Sequence, residues 1–365
     1  MNTTIVGGGF GGVKAALELA KNTDNSVTLI TDKPDFQYYP ALYGAATGRS
    51  HLESWVPLKE IFAGKNNVTV IIDSIASIDP AAKQLTSQQG TAYAYQTCIM
   101  SLGTVTTYFG IAGLDTYSYG IKSAGEVATL KEHIYEDLLQ NNSVDKRYVV
   151  IGAGPTGTEL AAAMGSYLRR LSKKLGVTNS KIHIDLIEAA PRVMPRMSER
   201  ASKMVDKRLR HLGVNVMTNQ KVESASDGIL TVGGRDLLCH TVIWTSGVAN
   251  HPFYKSNEAH FTFAPNGRIE VNEFMQVSGA DDLYVIGDNA ATPFTGLAQT
   301  ALHDGIFVAG NLRRQQAGQP MTSYKAVMPV VVVPVGAYWA IVEWKKIVLK
   351  GWVGAAVRKA ADFMG

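Results

Sequence analysis

The stretch YVVIGAGPTGTELA occupies residues 148–161 and determines how the rest of the chain is interpreted. Four strand-forming residues lead into the pattern G-x-G-x-x-G and then into helix-favouring residues, which is the strand–turn–helix context of a dinucleotide fingerprint. In such a fingerprint Gly152 makes the tight turn, Gly154 lets the backbone approach a pyrophosphate, and Gly157 lets the helix pack on the strand. Free N–H groups at the helix N-terminus bind the phosphates. The stretch therefore predicts a Rossmann-like domain.

The N-terminus carries the same device. Residues 3–20 read TTIVGGGFGGVKAALELA, again a strand, the pattern G-x-G-x-x-G and a helix. Two such units in one chain predict two nucleotide sites. A chain that binds two dinucleotides most simply passes electrons between them, and the usual pair is a flavin that stays bound and a nicotinamide that exchanges.

Composition agrees with a globular enzyme. The chain has 365 residues, 46% of them hydrophobic and 18% charged, which is enough for two or three domains with sizeable cores. The formal net charge is only +4, so a nucleic-acid partner is not expected. The chain enters a strand directly after its N-terminus, without a visible signal peptide, so we expect it on the cytoplasmic side.

The chain has only two cysteines, Cys98 and Cys239. Neither has a second cysteine nearby, so no C-x-x-C pair and no metal cluster is encoded, and no metal is predicted. Both lie in apolar segments, which favours burial in the core over redox reactivity.

Carboxylates follow the second strand of each predicted unit. Residues 26–32 and 182–188 read as these strands, and they end at Asp32 and Glu188. A carboxylate at this point accepts hydrogen bonds from ribose hydroxyls. Asp32 is therefore predicted to bind an adenosine ribose, with a simple turn aspartate as the alternative. Glu188 is predicted to bind a 2′-hydroxyl and to favour NADH over NADPH, although the nearby Arg192 would act in the opposite direction.

Other segments suit a flavin. Residues 36–48, FQYYPALYGAATG, are aromatic and irregular, as expected for a segment that lines a flat ring system or one that simply fills a core. Residues 282–288 form a predicted strand that ends in Gly287-Asp288, where an aspartate can bind ribityl hydroxyls. A predicted helix follows over residues 298–311. Residues 67–78 are predicted as strands of a β-meander, and residues 123–139 as a helix.

Together these motifs resemble the type II NADH:quinone oxidoreductases of the two-dinucleotide-binding-domain flavoprotein superfamily. The stretches that carry the resemblance run in order from residue 5 to about residue 312: GGGFGG at 7–12, YPALY at 39–43, ATG at 46–48, SLG at 101–103, YFGIAG at 108–113, GAGPTGTELA at 152–161, WTSGV at 244–248, Gly287-Asp288 and AQTA at 298–301. The glycine loops place only the superfamily, and the other stretches narrow it to this family.

The resemblance implies an α/β fold with two Rossmann-like dinucleotide-binding domains, the second inserted in the first, plus a small C-terminal segment. Predicted bounds are 1–115 and 266–324 for a FAD-binding domain, 116–265 for a NADH-binding domain, and 325–365 for a membrane-association or dimer segment. FAD is expected to be non-covalent. The implied reaction is hydride transfer from NADH to FAD and two-electron reduction of a quinone, without proton pumping.

The resemblance also assigns site residues. Glu159 matches the family's glutamate near the nicotinamide and flavin, Gln299 matches the first position of the quinone-site motif, and both, with His303, are predicted to be catalytic. The residues predicted to hold FAD are Gly7, Gly9, Phe10, Gly11, Gly12, Asp32, Lys33, Tyr39, Pro40, Ile75, Gly103, Gly287, Asp288 and Ala298. Those predicted to hold NADH are Gly152, Gly154, Pro155, Thr156, Gly157, Glu188, Ser246 and Gly247.

Two departures from the family occur inside these motifs. Thr31 stands where the family usually has its ribose carboxylate, and Asp32 comes one place later. His303 stands where the family usually has a second glutamine. A histidine can donate a hydrogen bond or a proton to a quinone near neutral pH, and a structural role is the alternative.

The third departure is the C-terminus, where family members often carry amphipathic membrane-binding helices. Residues 326–342 lack charge but are too short to span a bilayer and contain two prolines, and residues 330–333 read as a strand. Residues from 345 onward are taken as a helix that Gly351 interrupts, and their five basic residues do not gather on one face of it.

The charge of this tail nevertheless suits a membrane. Residues 325–365 include six basic and two acidic residues, so the net charge is 6 − 2 = +4. With two tryptophans among lysines, the tail suits an anionic membrane surface at the inner face of the cell membrane. A homodimer contact or a lid over the flavin is the alternative.

Rival functions differ in what they need. A disulfide reductase or a sulfide:quinone reductase needs cysteines beside the flavin, and residues 39–43 contain none. A soluble NADH-dependent reductase of a small electron-carrier protein would lack a quinone pocket and membrane affinity. A redox-sensing flavoprotein would bind NADH tightly and turn over slowly with every quinone.

Overall fold

The computed structural model describes residues 1–140, 145–177 and 181–364. The chain divides into two compact units. The first unit contains Met1–Gln37, Trp55–Thr106 and Val248–Pro329, and the second contains Tyr38–Ser54, Thr107–Gly247 and Val330–Gly365. The domain bounds that the resemblance implies stay a prediction.

The described ranges contain both helices and strands. The helices are α1 Phe10–Leu19, α2 Leu42–Ala46, α3 Leu58–Ile61, α4 Leu114–Tyr117, α5 Ala124–Gln140, α6 Pro155–Leu175, α7 Glu199–His211, α8 Pro252–Ser256, α9 Ala298–Gln316 and α10 Trp352–Met364. The strands are β1 Asn2–Val6, β2 Ser26–Thr31, β3 Asp35–Gln37, β4 Trp55–Pro57, β5 Val68–Ile72, β6 Ile75–Asp79, β7 Gln84–Ser87, β8 Ala92–Ala94, β9 Thr97–Met100, β10 Thr104–Thr106, β11 Lys146–Ile151, β12 Ile182–Ile187, β13 Val214–Met217, β14 Val222–Ser226, β15 Ile229–Val232, β16 Arg235–Leu238, β17 Thr241–Trp244, β18 Val248–Asn250, β19 Gln276–Val277, β20 Ala280–Val285, β21 Val331–Pro334, β22 Ala340–Trp344 and β23 Ile347–Gly351.

The first unit is organised around a sheet in the order β19-β20-β9-β1-β2-β5. All neighbours pair in parallel except the edge strand β19. The buried positions of β1, β2 and β9 hold apolar residues and threonines in near-continuous runs, as expected of parallel strands covered on both faces. The carboxyl ends of these strands meet at one edge, where ligands bind in such sheets.

The prediction of a β-meander over residues 67–78 is wrong for its first strand. β5 pairs in parallel with β2 and forms the edge of the main sheet, from Val27↔Val68 to Thr31↔Ile72. The meander consists of β6, β7 and β8. The apolar run of β5 fits either sheet equally well, so only the distant pairing partner distinguishes them.

Helices α1 and α9 of the first unit lie against each other with their backbones in close contact. A Cβ added at Gly305 would lie 2.6 Å from the carbonyl oxygen of Gly11 and 3.1 Å from the amide nitrogen of Ala15. Only a glycine allows this approach. The contact fixes α9 directly behind the first glycine loop.

The second unit contains a parallel sheet in the order β13-β12-β11-β17 and an antiparallel sheet β14-β15-β16. A buried ion pair joins α5 to β11: the fully buried Lys146 ammonium lies 2.9 Å from the Asp137 carboxylate. The Tyr148 hydroxyl donates to the other oxygen of the same carboxylate at 2.9 Å. Because every member has a partner, the group can stay charged inside the protein.

The C-terminal segment forms the antiparallel sheet β21-β22-β23, followed by α10. The strand predicted over residues 330–333 is confirmed, one residue later in the chain. The expectation of helix from residue 345 onward is wrong, because residues 347–351 form β23 and the helix begins at Trp352. None of the helices in the described ranges is both long and apolar enough to cross a bilayer.

Candidate functional site

The first glycine loop leaves the carboxyl end of β1. Gly7 has φ +111°, and a Cβ there would lie 2.2 Å from the carbonyl oxygen of Ser101. A Cβ at Gly12 would lie 2.0 Å from the carbonyl oxygen of Gly7. By contrast, a Cβ at Gly9 would meet no protein atom within 4 Å. The loop is therefore closed against the sheet and open on the side where a pyrophosphate would lie, at the N-terminus of α1.

The second glycine loop is built in the same way. Gly152 has φ +101°, and a Cβ there would lie 1.9 Å from the hydroxyl oxygen of Ser246. A Cβ at Gly157 would lie 1.8 Å from the carbonyl oxygen of Gly152, whereas the space at Gly154 is open. Pro155 begins α6 and lacks only an N–H that has no partner within a helix. Of the predicted NADH residues, Ser246 thus supports the turn from behind.

The carboxylate of Glu188 holds the second loop in place. Its Oε2 accepts a hydrogen bond from the backbone N–H of Ala153 at 2.7 Å, and its Oε1 accepts one from Ala190 at 2.8 Å. Each carboxylate oxygen keeps lone pairs for a further donor such as a ribose hydroxyl. Arg192 does not contact Glu188 here, because its guanidinium donates to the carbonyl oxygens of Met197 and Pro195.

In the first unit, the position equivalent to Glu188 is occupied by Thr31. Strand register gives this equivalence, since Val6 pairs with Ile30 as Ile151 pairs with Ile187. Thr31 is buried, and a Cβ at Gly8 would lie 2.8 Å from its hydroxyl oxygen.

Asp32 lies one residue further and is exposed. Burial lowers the pKa of His251, and the charge of Asp32 partly offsets this effect. The nearby Lys33 is also exposed, and Ile75 lies buried at the start of β6. The ribose role of Asp32 stays a prediction.

The turn after β20 is held by a buried amide that the sequence did not reveal. Gly287 has φ +68° and begins a 3₁₀ turn that also contains Asp288 and Asn289. The fully buried Asn289 side chain accepts from the N–H of Gly103 at 2.7 Å and donates to its carbonyl oxygen at 2.6 Å. This two-point contact joins two segments that were predicted separately to hold FAD.

Asp304 is a second residue that sequence reasoning missed. Its Oδ2 accepts a hydrogen bond from the N–H of Gly287 at 3.0 Å, and its Oδ1 accepts one from the Tyr324 hydroxyl at 2.7 Å. Asp304 is fully buried on α9. Helical periodicity contained the signal, because Asp304 lies on the same face as the buried Ala301 and Val308.

Gln299 and His303 lie four residues apart on α9 and therefore share one face, as a joint site requires. Ala298 begins this helix. The Nε2 atom of His303 lies 3.0 Å from the carbonyl oxygen of Lys325, so it carries a proton and donates this bond. The Nδ1 atom is the one left to face a substrate.

Glu159 lies on α6, two residues after Gly157, and is buried. A carboxylate near the N-terminus of a helix is stabilised by the helix dipole. At the carboxyl end of β17, Gly247 has φ +71°, and a Cβ there would lie 2.2 Å from the carbonyl oxygen of Thr107. The Lys122 ammonium donates to the carbonyl oxygen of Gly247 at 3.3 Å, and burial lowers the pKa of this lysine. Lys122 is a further residue that the sequence did not point to.

Residues 38–48 of the aromatic segment belong to the second unit. Tyr39 is 46% exposed, and Pro40 follows it in a short 3₁₀ turn. The guanidinium of Arg358 on α10 donates to the carbonyl oxygen of Pro40 at 3.1 Å. The tail thus supports the segment that was predicted to line the flavin. Phe10 packs edge-on against Phe36 in the first unit, with ring centroids 4.9 Å apart.

Both cysteines are buried, as predicted. Burial raises the pKa of the Cys239 thiol to about 11 and that of Cys98 further. Both therefore stay protonated near neutral pH and are poor nucleophiles. In the ranges that the structure describes, no group of three or more acidic, histidine or cysteine side chains is placed to hold a metal ion.

Comparison with known proteins agrees with this geometry. A family model described as pyridine nucleotide-disulphide oxidoreductase matches residues 1–328. A type II NADH:quinone oxidoreductase of Staphylococcus saprophyticus is 27% identical over 354 residues, covering 92% of this chain and 87% of the relative. This match confirms the resemblance drawn from the motifs.

Solved structures match along nearly the whole chain. NDH2 of Plasmodium falciparum in complex with NADH superposes with a TM-score of 0.88 at 17% identity, covering 99% of this chain and 93% of the other. The sulfide:quinone oxidoreductase of Aquifex aeolicus gives a TM-score of 0.83 at 19% identity, covering 100% and 90%. These matches confirm the predicted fold class.

Proposed function

The chain belongs to the pyridine nucleotide-disulphide oxidoreductase family, and within it we propose a FAD-dependent enzyme that oxidises NADH and passes two electrons to a quinone without pumping protons. The observation that carries the proposal is the pair of open glycine loops, each at the carboxyl end of a parallel strand, within one oxidoreductase chain. The relative named for NADH and quinone supports the choice of donor and acceptor.

The first unit fits FAD. The open space at Gly9 and the N-terminus of α1 suit the pyrophosphate, and the turn at Gly287-Asp288 offers a carboxylate for ribityl hydroxyls. The glycine loop and the aromatic segment at residues 36–48 contain no histidine or cysteine that could attach a flavin, so we propose non-covalent binding. When bound, FAD supplies the electron carrier between a two-electron donor and the acceptor.

The second unit fits NADH. Its open loop at Gly154 suits the pyrophosphate, and Glu188 is already oriented by two backbone donors to accept from a ribose 2′-hydroxyl. A 2′-phosphate in the same place would meet a carboxylate, and like charges repel. We therefore propose NADH over NADPH. The buried Glu159 positions the nicotinamide ribose.

Gln299 and His303 orient the quinone. The amide of Gln299 carries N–H donors in its only protonation state and can donate to a quinone carbonyl. Because Nε2 of a neutral His303 is bonded to the carbonyl oxygen of Lys325, Nδ1 is then an acceptor. His303 therefore donates to a quinone oxygen only in its doubly protonated form, which makes it a source of a proton at Nδ1.

We further propose peripheral attachment to the inner face of the cell membrane through the tail. Tyr338 is 89% exposed and Trp352 is 76% exposed, and the turn between β22 and β23 presents Lys345 and Lys346 beside the exposed Trp344. Exposed aromatic side chains among lysines suit an anionic lipid surface. A homodimer contact through the same side chains is the alternative.

The first test is NADH oxidation by the purified protein with three acceptors: a soluble short-chain quinone, ferricyanide and oxygen. We expect a flavin absorbance spectrum, a preference for NADH over NADPH, and quinone turnover of roughly tens per second or more, within the ordinary enzyme range. Fast ferricyanide reduction with negligible quinone turnover would contradict the quinone assignment and would instead favour a small electron-carrier protein as acceptor. Tight NADH binding with slow turnover for every acceptor would favour a redox sensor.

A further inference from the structure

Asp304 is a carboxyl group with an unusual environment. It is fully buried, and its two oxygens accept from neutral donors, the hydroxyl of Tyr324 and the N–H of Gly287. The charged groups that act on it are His303, its neighbour on α9, and Asp288 on the adjoining turn. On the packed helix α1, the ammonium of Lys14 is paired with Glu18.

The position of Asp304 connects two parts of the proposed site. Through Gly287 it contacts the turn proposed to hold FAD. Through Tyr324 it approaches the quinone side, because the Tyr324 ring lies 5.5 Å from the His303 ring and packs edge-on at 5.1 Å against Phe307. These contacts place Asp304 between the turn proposed to hold FAD and the His303 end of α9.

Resting on the proposed quinone reduction, we propose that Asp304 and Tyr324 form a proton-holding pair that supplies the His303 end of α9. Reduction of a quinone to a quinol takes two electrons and two protons. The hydride of NADH supplies both electrons and one of these protons through the bound cofactor, so one further proton is needed. One proton leaves the Asp304 carboxyl as the quinone oxygen becomes a hydroxyl, the carboxylate keeps its bonds from Tyr324 and Gly287, and solvent returns the proton.

The protonation behaviour of the pair supports this role. Burial raises the pKa of Asp304 to about 6, and the hydrogen bond from Tyr324 opposes this rise. Burial and the adjacent carboxyl raise the pKa of Tyr324 above its ordinary value, so the phenol keeps its proton. Asp304 therefore gains and loses its proton near pH 6, within the range where a general acid can work, while Tyr324 stays protonated.

The test compares D304N with the wild-type holoenzyme, using NADH with either a soluble quinone or ferricyanide between pH 5.5 and 8.5. Ferricyanide takes electrons without protons. We expect D304N to lower quinone turnover about 10-fold and to remove the pH dependence near pH 6, because general acids contribute ~10²–10⁴-fold when they act directly. Ferricyanide reduction should stay within about 2-fold. An asparagine oxygen still accepts from Gly287.

D185N is the matched control, because Asp185 is also a buried carboxylate but lies in β12 of the second unit. D185N should change turnover with quinone and with ferricyanide equally or not at all. Y324F is a second variant that removes the donor to Asp304 without adding a polar group. Since the Tyr324 bond lowers the pKa of Asp304, Y324F should move the quinone pH profile to higher pH while ferricyanide reduction is unchanged.

Three outcomes overturn the inference. One is an equal loss with both acceptors in D304N, which would make Asp304 a positioning residue for the Gly287 turn. Another is an unchanged quinone pH profile in both variants. The third is a Y324F profile that moves to lower pH. A wild-type protein that does not reduce quinones would contradict the proposed function before this comparison begins.

Discussion

The two glycine loops share one backbone frame but differ at a single decisive position. In both, the N–H of the first glycine donates to a carbonyl oxygen near the carboxyl end of the neighbouring strand, Gly7 to Ile30 at 2.8 Å and Gly152 to Ile187 at 2.7 Å. The residue that follows this carbonyl is Thr31 in the first unit and Glu188 in the second. The frame is therefore set by glycine packing, while the recognition of a ribose is set separately by the residue at the strand end.

This difference separates the two proposed ligands. A dinucleotide that exchanges in each turnover must be bound quickly and specifically, and we propose this role for the preset carboxylate of Glu188. A dinucleotide that stays bound gains affinity from many contacts, so we expect a threonine at the same register position to cost little. The exposed Asp32 would then contribute less to the first site.

The largest effect is expected where a side chain would strike the backbone. G12A and G157A each place a Cβ about 2 Å from a carbonyl oxygen of their own loop, so each should destabilise the loop by about 3 kcal/mol or more. We expect G12A to be purified without flavin and G157A to keep flavin but lose NADH oxidation. Flavin absorbance measures the bound flavin, and thermal unfolding measures the loss of stability in each variant.

G9A and G154A are the matched controls, because a Cβ there meets no protein atom within 4 Å. Without flavin and NADH they should unfold at the same temperature as ligand-free wild type, and they should lose only affinity for the ligand that fills the space. A lowered melting temperature in G9A or G154A, equal to that in G12A or G157A, would contradict the assignment of their open side to the ligands.

A smaller effect is expected at Glu188. E188A removes the acceptor of two backbone N–H groups, at a cost of about 1–3 kcal/mol for each group left unsatisfied. The KM for NADH should rise about 10- to 100-fold while flavin content stays unchanged, measured by steady-state kinetics and absorbance. E188Q keeps one oxygen acceptor, so its KM for NADH should lie between those of the wild type and E188A. The preference for NADH over NADPH should narrow in both variants.

The smallest effect is expected from making the first loop resemble the second. T31E places a carboxylate at the register position of Glu188, and we expect FAD to dissociate only about 3- to 10-fold more slowly. A hydrogen bond to a charged group contributes about 1.5–3 kcal/mol, but burying the carboxylate at this position offsets part of it. D32A is the comparison. If D32A raises the FAD dissociation rate by a larger factor than T31E lowers it, Asp32 rather than the register position binds the ribose.

Local patterns were sufficient for most of the fold. The predicted strands at residues 26–32 and 182–188 and the helices at 123–139 and 298–311 lie within a few residues of β2, β12, α5 and α9, the last of which continues to Gln316. Each depends on the alternation or periodicity of its own residues. Sequence spacing pointed to Asp32 at the end of the strand at residues 26–32, and only the family resemblance singled out Thr31.

Features that depend on distant partners could not be predicted. Asn289 contacts Gly103, 186 positions away, and Asp304 contacts Tyr324, 20 positions away. The β22–β23 turn was missed for a different reason. It has no asparagine or glycine, and Lys345 adopts φ +52°, a conformation that few non-glycine residues take. Without such turn residues, the sequence around Lys345 gave no sign of a hairpin and was interpreted as a helix.

The tail contacts the rest of the second unit at several points. Glu343 accepts from the N–H of Ser198, the residue that caps α7, at 3.0 Å. Arg208 donates to the carbonyl oxygen of Val335 at 3.2 Å, and a Cβ at Gly336 would lie 3.0 Å from the Leu212 side chain.

A simple truncation would therefore not test the proposed membrane attachment. Cutting the chain at residue 325 would remove the acceptor at the start of α7 and uncover Leu212, so loss of activity would report misfolding rather than detachment. The useful variant keeps the whole tail and exchanges only outward-facing side chains such as Tyr338 and Trp352 for polar ones, leaving the scaffold beneath them intact.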